Sequence, residues 1–438
     1  MAGGEGAAGC SGGAMDEELS HHRAGKRMET KTQHTGVASI TFDRAAALKR
    51  VLAERRRSML IDLSITLLTI LLALGLGFIV MLIVGKDPIK AYTTLLTWPS
   101  GPWFRTGRWL EDATSLILLG LSVSIAFRAR QFSLGAEAQL YMGVLVGGAI
   151  AIYVPLPPGL AIIVPAIAAM IAGFLVGIIP GLMKVHLNAN EIVSTLMINA
   201  IVVRIYDYIL TFFLTPQGSQ TRESLPVLEN AILTKLGDLL GISFGRVNIG
   251  VIFPMLAVIG VWLLMTRTKF GYEVRTIGAN EKFARYGGID TKKSIIYAFA
   301  IGGAIAALAG LHLVLGVHRK MIPGISAGLA FEGITVALLA RNNPLLVPVT
   351  GLFYAYLRTG GDIMEQQASV GSEIVQVIQA VIILLITAQV LVQWVKNRRS
   401  LSTTELHRVF TVIILLITAQ VQVLVQWVKN RRSTTEDK

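Results

Sequence analysis

Six polar or acidic side chains interrupt the long apolar stretches of this sequence and are its best candidates for chemistry. They are Glu137, Gln139, Asn190, Glu191, Asn199 and Glu332. A carboxylate placed in hydrocarbon costs roughly 2.5–3.5 kcal/mol or more, so such a group normally faces a protein interior or a water-filled space. The chemistry that this pattern favours is therefore the binding of a polar solute inside a membrane.

Some of these positions also have a structural interpretation. Glu137 and Glu191 lie near predicted helix starts, where an anion stabilises the helix dipole by roughly 0.3–1 kcal/mol, and this capping role is the one we favour for both. Glu332 stands in the middle of a short apolar segment, and for this residue a place on a solute path and a structural role remain open alternatives. His312 lies two to three turns inside an apolar segment, where a hydrogen bond to a neighbouring helix is favoured over a ligand contact.

The sequence lacks the motifs of the common enzyme classes. It contains no GxxxxGK[ST], HExxH, CxxC or GxSxG pattern, and its histidines show no ligand spacing within the apolar region. The adjacent His21 and His22 stand in a polar tail and are expected to be solvated. Its one cysteine, Cys10, excludes an intramolecular disulfide and a cysteine-based zinc site. We therefore expect a chain with no catalytic activity, bound metal or cofactor of its own.

The composition indicates a membrane protein. Of the 438 residues, 53% are hydrophobic and only 15% are charged, against roughly 45–50% and 25% in soluble domains. The net charge is +13 although the mean hydropathy is +0.61. A nucleic-acid-binding protein carries its basic excess on a polar chain, so that class is excluded along with the typical soluble enzymes. A polytopic membrane protein with basic cytoplasmic edges accounts for both values.

Apolar segments long enough to cross a bilayer begin near residue 58. The predicted fold is all-α, a polytopic transmembrane helical bundle of about 10 spans, since each crossing takes roughly 20 helical residues. Segments 325–340 and 344–357 are short and glycine-rich, so a broken helix or a re-entrant pair is an alternative to two full spans. The predicted spans are 59–84, 109–127, 134–153, 159–182, 191–214, 247–266, 295–317, 325–340, 344–357 and 374–395.

Charge placement predicts the orientation and the domain limits. With both termini in the cytoplasm, Lys and Arg are about twice as frequent on the cytoplasmic side as on the other. Residues 1–57 are predicted to be a disordered basic cytoplasmic tail, and residues 58–400 to be the transmembrane domain. Residues 401–438 nearly duplicate 381–400. A membrane-crossing copy would place its basic residues outside, so we expect it to be interfacial or non-functional.

A polar segment, 267–294, separates two predicted spans. Asn280 is a predicted N-cap, after which EKFARYGG gives about two helical turns that end at two glycines. Phe283 and Tyr286 are three residues apart and share one face of this short helix. An amphipathic cytoplasmic helix with an aromatic face suits a groove on another protein. A helix that lies on lipid headgroups is equally compatible with the pattern.

Four stretches resemble the permeases of ATP-binding-cassette importers. The loop GYEVRTIGANEKFARYGGI is similar to their coupling loop, in which a short helix inserts into the ATPase subunit. AFRARQFSLGAEAQLYMG (126–143), NEIVSTLMINAI (190–201) and AFEGITVALLARNNPL (330–345) resemble the branch that transports nucleosides and simple sugars. The resemblance covers about 59–395. The sequence departs from the usual pattern at Ser133, Leu134, Ala138 and Leu329, which affects the expected substrate more than the fold.

The resemblance implies a bacterial inner-membrane permease domain over 58–400 that forms half of a translocation path. Its implied partners are ATPase subunits that use ATP, a second permease subunit in a homo- or heterodimer, an extracytoplasmic substrate-binding lipoprotein and membrane lipid, with no nucleic acid. The residues implied to dock the ATPase are Asn280, Glu281, Phe283, Arg285 and Tyr286. Groups suited to a nucleoside or pentose, if they converge, are Tyr141, Ser194, Thr195, Asn199, Phe331 and Thr335.

Three other transport classes are weighed against this one. A branched-chain amino acid importer shares the fold and the ATPase docking, and it is the closest alternative. A secondary transporter carries matching halves and ionisable residues at mid-membrane, which are scarce in this sequence. A channel needs a filter or a ring of charges, and the sequence shows neither.

Overall fold

The computed structural model describes residues 87–235 and 247–368, apart from Pro102, together with parts of 75–82. These residues are almost entirely helical, and their only β-pairing is an isolated bridge between Lys235 and Asn248. The helices are α1 (Pro88–Thr97), α2 (Trp103–Arg128), α3 (Ala136–Tyr153), α4 (Leu160–Leu187), α5 (Glu191–Ile209), α6 (Ile252–Arg267), α7 (Lys269–Ala279), α8 (Glu281–Tyr286), α9 (Thr291–His312), α10 (Leu329–Leu339) and α11 (Val347–Ala368).

Six helical segments in the described part of the chain are long and apolar enough to cross a membrane. Two of them include a π-helical extension, Leu210–Leu214 after α5 and Leu313–His318 after α9. All six overlap spans predicted from the sequence. They are Phe104–Arg128, Ala136–Tyr153, Leu160–Leu187, Glu191–Leu214, Ile249–Arg267 and Thr291–His318.

The helices α2 and α9 form the centre of the bundle. They are the most buried of the six spans, and α9 packs against α2, α3 and α4. Small residues permit this packing: a Cβ atom added to Gly173 on α4 or to Gly303 on α9 would overlap the carbonyl oxygen of the other glycine. Because lipid supplies no hydrophobic force between helices, such close van der Waals contact is what holds them together.

The glycine-rich region 325–357 forms one short helix and one long helix. Helix α10 has 11 residues, so it is about 16 Å long and spans about half of the hydrocarbon core. Positive φ angles at Ala327 and Gly328 break the chain before it. Glu332 therefore lies in the first turn of a helix and not in the middle of an apolar segment, which corrects the prediction from sequence.

Arg358 lies near the centre of α11, because this helix runs from Val347 to Ala368 and so extends past the predicted segment 344–357. The ring of Trp98 packs against Trp109 and Tyr356, with centroid distances of 6.2 and 5.1 Å, and so joins α11 to the start of α2. This packing explains why the helix runs beyond its apolar half.

Several predicted features lie outside the described residues. These are the tail 1–57, most of the span 59–84, the span 374–395 and the duplicated segment 401–438.

Candidate functional site

The helices α7 and α8 occupy the polar segment 267–294, which is mostly helical. Asn280 begins α8 as predicted, because its side-chain oxygen accepts a hydrogen bond of 3.1 Å from the backbone N–H of Phe283. Glu281 and Arg285 form an i,i+4 pair at 3.4 Å on this helix. Phe283 is 66% exposed and Tyr286 is 92% exposed. Two large aromatic side chains thus project from a short, well-capped helix.

The opposite face of α8 is anchored to the bundle. Ala284 is fully buried and packs with Ile277 of α7 and with Ile295 and Phe299 of α9. Helix α7 also lies directly against α2, because a Cβ atom added at Gly278 would overlap the carbonyl oxygen of Arg128 at the end of α2. The exposed aromatic side chains of α8 are therefore carried by a helix pair, α7 and α8, that contacts both central helices, α2 and α9.

Polar contacts add to this anchoring. The Ser294 hydroxyl on α9 donates a hydrogen bond of 2.7 Å to the Glu273 carboxylate on α7. Asp290 begins α9 by accepting a hydrogen bond from the backbone N–H of Lys293. This N–H, with the Lys293 ammonium group, holds the pKa of Asp290 below its ordinary value. The charged form of Asp290 is thus the one that caps the helix.

Asn199 joins α5 to the start of α3. Its side-chain oxygen accepts a hydrogen bond of 3.0 Å from the N–H of Ala138, and its side-chain nitrogen donates one of 2.7 Å to the carbonyl of Leu134. Thr195, one turn earlier, accepts a hydrogen bond from the N–H of Leu134. These contacts occupy both polar atoms of the buried Asn199 amide, which makes it a tie between two helices.

Asn190 and Glu191 lie at the start of α5, the helix that carries Asn199. Asn190 is the N-cap of α5 and accepts hydrogen bonds from the N–H groups of Ile192 and Val193. Glu191 follows in the first turn and forms a 2.6 Å ion pair with Lys184 of α4. Both side chains therefore have helix-terminal roles, as favoured for Glu191 from the sequence.

Glu137 and Gln139 lie in the first turn of α3. Gln139 is buried. Glu137 lies beside Ser326 in the segment before α10, and in the part of the chain that the structure describes its Oε2 and the Ser326 Oγ have no clear hydrogen-bond partner. Tyr141, one turn further along, packs against Tyr206 of α5 at 4.9 Å between ring centroids. Glu137 thus keeps one buried carboxylate oxygen without a hydrogen-bond partner among the described residues.

Glu332 lies in a cluster of charged groups shared by α2, α10 and α11. The Arg358 guanidinium donates a hydrogen bond to its carboxylate. Arg108 and Asp362 form a second pair at 2.6 Å, and Asp112 accepts a hydrogen bond from Thr359 and lies near Arg358. The cluster satisfies one oxygen of Glu332, while the other has no partner among the described residues.

The remaining candidates lie in three places. His312 is fully buried and its Nδ1 lies 3.0 Å from the Ser115 hydroxyl on α2, which is the interhelical bond favoured from the sequence. Thr195 and Asn199 bond to the start of α3, and Tyr141 packs on Tyr206 of α5. Ser194 bonds to the Glu191 carbonyl of its own helix, and Phe331 and Thr335 lie on α10. Across residues 87–235 and 247–368, no group of three His, Cys, Asp or Glu side chains is arranged to hold a metal ion.

Comparison with known proteins identifies the family of the chain. A family described as the permease component of the branched-chain amino acid transport system matches residues 106–419. This match covers most of the chain, including nearly all of α2 and every described helix after it. The chain belongs to this permease family.

Curated relatives of the permease come from bacteria and an archaeon. It is 31% identical to a guanosine ABC transporter permease protein of Bacillus subtilis over 346 residues, which are 77% of this chain and 96% of the relative. It is also 31% identical to a glucose ABC transporter permease protein of Haloferax volcanii over 329 residues, 74% of this chain and 86% of the relative. A nucleoside ABC transporter permease protein of Lactococcus lactis is 28% identical over 343 residues, 75% of this chain and 92% of the relative.

Arg204 of the permease is not among the residues that the sequence pattern predicted to be functional. Arg204 lies within the span Glu191–Leu214, and its side chain is 86% exposed beside Asp207 at 3.8 Å. A charge at this depth in lipid costs roughly 2.5–3.5 kcal/mol or more. The signal was present in the sequence, because any basic residue inside a predicted span requires an explanation.

Proposed function

We propose that this permease forms one half of the translocation path of an ATP-binding-cassette importer for nucleosides or related simple sugars. The observation that carries the proposal is its similarity, over about three quarters of its length, to permeases named for guanosine and for nucleosides. The glucose permease of Haloferax volcanii supports the sugar alternative. In this proposal the chain binds no cofactor, and ATP is used by the partner ATPase.

The proposed topology has about ten spans with both termini in the cytoplasm. The six described spans are joined by α11 and the half-span α10, and by the predicted spans 59–84 and 374–395. In this arrangement 1–57 is a cytoplasmic tail, 58–400 is the permease domain, and the duplicated 401–438 is interfacial or without function. The α7–α8 unit then lies in the cytoplasm.

In this orientation, α8 docks the ATPase. Phe283 and Tyr286 would enter a groove of that subunit, since buried aromatic anchors carry much of the energy of protein interfaces. The Arg285–Glu281 pair and the Asn280 cap hold the short helix in shape. The exposed aromatics support docking over a lipid-surface role, because a helix anchored beneath by Ala284 presents them away from the bundle.

The contacts beneath α8 provide a mechanism for transmission. ATP binding that closes two ATPase subunits would move the two α8 helices of a permease dimer together. The movement would pass to α9 through Ala284 and the Ser294–Glu273 bond, and to α2 through the contact of Gly278 with Arg128. ATP can shift the permease between outward- and inward-facing states only by as much as its affinity differs between them.

The remaining partners follow from the same assignment. A second permease subunit, identical or similar, would complete the path. An extracytoplasmic binding lipoprotein would deliver the substrate, and the assembly would lie in the bacterial inner membrane.

Uptake by whole cells tests the proposal. Cells that carry the complete transport system are compared with cells that lack this chain, using radiolabelled guanosine, ribose and leucine. We expect guanosine or ribose uptake that requires both the chain and ATP. Leucine uptake alone would replace the proposed substrate with the branched-chain amino acids that the family description names.

A secondary transporter is the second candidate, and the charged cluster around Glu332 and Arg358 is the observation that favours it. Ionisable groups within a bundle are typical of ion-coupled transport. Uptake that persists after ATP is depleted but stops when the proton gradient is collapsed would support this candidate and exclude the importer.

A further inference from the structure

One face of α5 carries a charge, Arg204, whose side chain is 86% exposed among the residues that the structure describes. Arg204 is 13 residues from Glu191 and 10 from Leu214, the two ends of its span, so it lies about 20 and 15 Å from them along the helix. Long basic side chains reach the membrane surface only from near the ends of a helix. Arg204 therefore requires water or protein on the exposed side of α5.

The other peripheral spans show what a lipid-facing surface of this protein looks like. The exposed side chains in the middle of α4 and α6 are apolar, among them Ile171 and Leu175 on α4 and Ile259 and Leu263 on α6. The basic residues of these two helices, such as Lys184 and Arg267, lie in their last turns. The exposed face of α5 differs from both in having a charge near its midpoint.

Three exposed aromatic rings follow Arg204 along α5 and its π-helical extension. Tyr208 lies one turn along, and its ring centroid is 4.9 Å from that of Phe212 and 6.0 Å from that of Phe213. All three rings are exposed. The π-helical turn Leu210–Leu214 brings both phenylalanines next to Tyr208, and single π turns of this kind are frequent at functional sites.

This combination suits a planar base better than a bare sugar. Aromatic side chains bind bases by stacking, and every base offers a flat face. A guanidinium donates a matched pair of hydrogen bonds to the oxygen and nitrogen acceptors on the edge of guanine. The Asp207 carboxylate lies 3.8 Å from the Arg204 guanidinium, and it is an acceptor for a ribose hydroxyl on the same face.

We propose that Arg204, Tyr208 and Phe212 line the translocation path and bind the base of a nucleoside, with Arg204 donating hydrogen bonds to the base edge and Tyr208 and Phe212 stacking on its face. This inference rests on the proposed importer function and assigns its substrate contact. The occupant of the α5 face is thus the substrate in water, and neither lipid nor a second permease subunit covers it closely.

The single cysteine of the chain permits a direct test. In a Cys10→Ser background, Arg204→Cys and Tyr208→Cys are compared with the matched controls Ile171→Cys and Ile259→Cys. The assembled transporter in membrane vesicles is treated with a charged methanethiosulfonate reagent, with and without guanosine. We expect positions 204 and 208 to react at least about tenfold faster than the controls, a ratio that equals about 1.4 kcal/mol, and guanosine but not leucine to slow their reaction.

Three outcomes would overturn the inference. Equal, slow reaction at all four positions would mean that lipid covers α5. Disulfide formation between Arg204→Cys chains, without reagent access, would mean that a second subunit covers it. Fast reaction at positions 204 and 208 that guanosine does not slow in either variant, when the wild-type transporter imports guanosine, would mean that the base binds elsewhere.

The last case separates this inference from the importer proposal. There the chain still imports guanosine, and only the assignment of Arg204 is wrong. If the wild-type system imports neither guanosine nor ribose, the importer proposal for these substrates fails first, and the substrate contact proposed for α5 fails with it.

Discussion

Arg358 of α11 donates a hydrogen bond to Glu332 of α10, and both side chains are largely buried. The bond joins the short half-span to the long helix that packs on α2. Removing one partner from a buried ion pair leaves an uncompensated charge and costs about 3–5 kcal/mol, whereas replacing both partners is often nearly neutral. A loss of function on mutating Glu332 alone therefore does not by itself place this residue on the substrate path.

Double substitution separates the two interpretations of Glu332. We expect Glu332→Ala and Arg358→Ala each to lower the thermal stability of the detergent-solubilised complex, and Glu332→Ala with Arg358→Ala to recover most of it. The measurement is the temperature at which the complex disappears from size-exclusion chromatography. If the double variant is stable and bound to its ATPase but transports nothing, Glu332 lies on the path; normal uptake assigns it a structural role.

Docking by α8 predicts a specific loss of the ATPase. We expect Phe283→Asp with Tyr286→Asp to weaken ATPase binding by about tenfold or more, because two aromatic anchors are replaced by charges that cannot be buried. The control is Tyr153→Asp, an exposed aromatic at the end of α3, away from the α7–α8 unit. Co-purification of the ATPase at wild-type levels with the double variant would show that α8 does not dock it.

The tie made by Asn199 predicts a difference between two substitutions. Asn199→Ala leaves the Ala138 N–H and the Leu134 carbonyl without partners, and each buried unsatisfied group costs about 1–3 kcal/mol. Asn199→Asp keeps the acceptor for Ala138 but places a buried carboxylate oxygen against the Leu134 carbonyl, and an unpaired buried charge costs more than an unpaired neutral group. We expect stability to fall in the order wild type, Ala, Asp, measured by thermal melting of the complex. Unchanged melting temperatures would show that the hydrogen bonds of Asn199 do not stabilise the contact between α5 and α3.

Length and apolar character were sufficient to predict the six spans that the structure describes. Asn280 was also predictable, because an N-cap depends on residue type and on a distance of three positions along the chain. Glu332 was misplaced because its helix begins after two residues with positive φ, Ala327 and Gly328. The sequence does not show that Ala327 adopts a positive φ angle, so the start of this helix could not be predicted.

Contacts between distant segments account for most of what the sequence did not show. Arg358 resembles a loop residue until α11 is known to pack on α2 and α10, which places its guanidinium beside Glu332. Asn199 looked suited to a substrate hydroxyl, but its amide is satisfied by backbone groups about 60 positions away in the chain. Arg204, by contrast, carried its own signal, as a charge inside an apolar span.

The Ser294–Glu273 bond provides a prediction that distinguishes transmission from docking. The Ser294 hydroxyl is placed to donate to the Glu273 carboxylate and also lies 3.0 Å from the carbonyl oxygen of Asp290. Because a hydrogen bond to a charged group contributes about 1.5–3 kcal/mol, Ser294→Ala should loosen α7 from the central helix α9. The exposed face of α8 would not change.

We therefore expect Ser294→Ala to retain the ATPase on purification but to transport fewer substrate molecules for each ATP hydrolysed, by about tenfold for 1.4 kcal/mol of lost coupling. The control is Thr276→Ala, which removes a hydroxyl of α7 that bonds only to the Tyr272 carbonyl of its own helix. The measurements are ATP hydrolysis and uptake by the same proteoliposomes. If both variants keep the wild-type ratio of transport to hydrolysis, the movement of α8 reaches the bundle by another route, of which the contact of Gly278 with the end of α2 is the next to test.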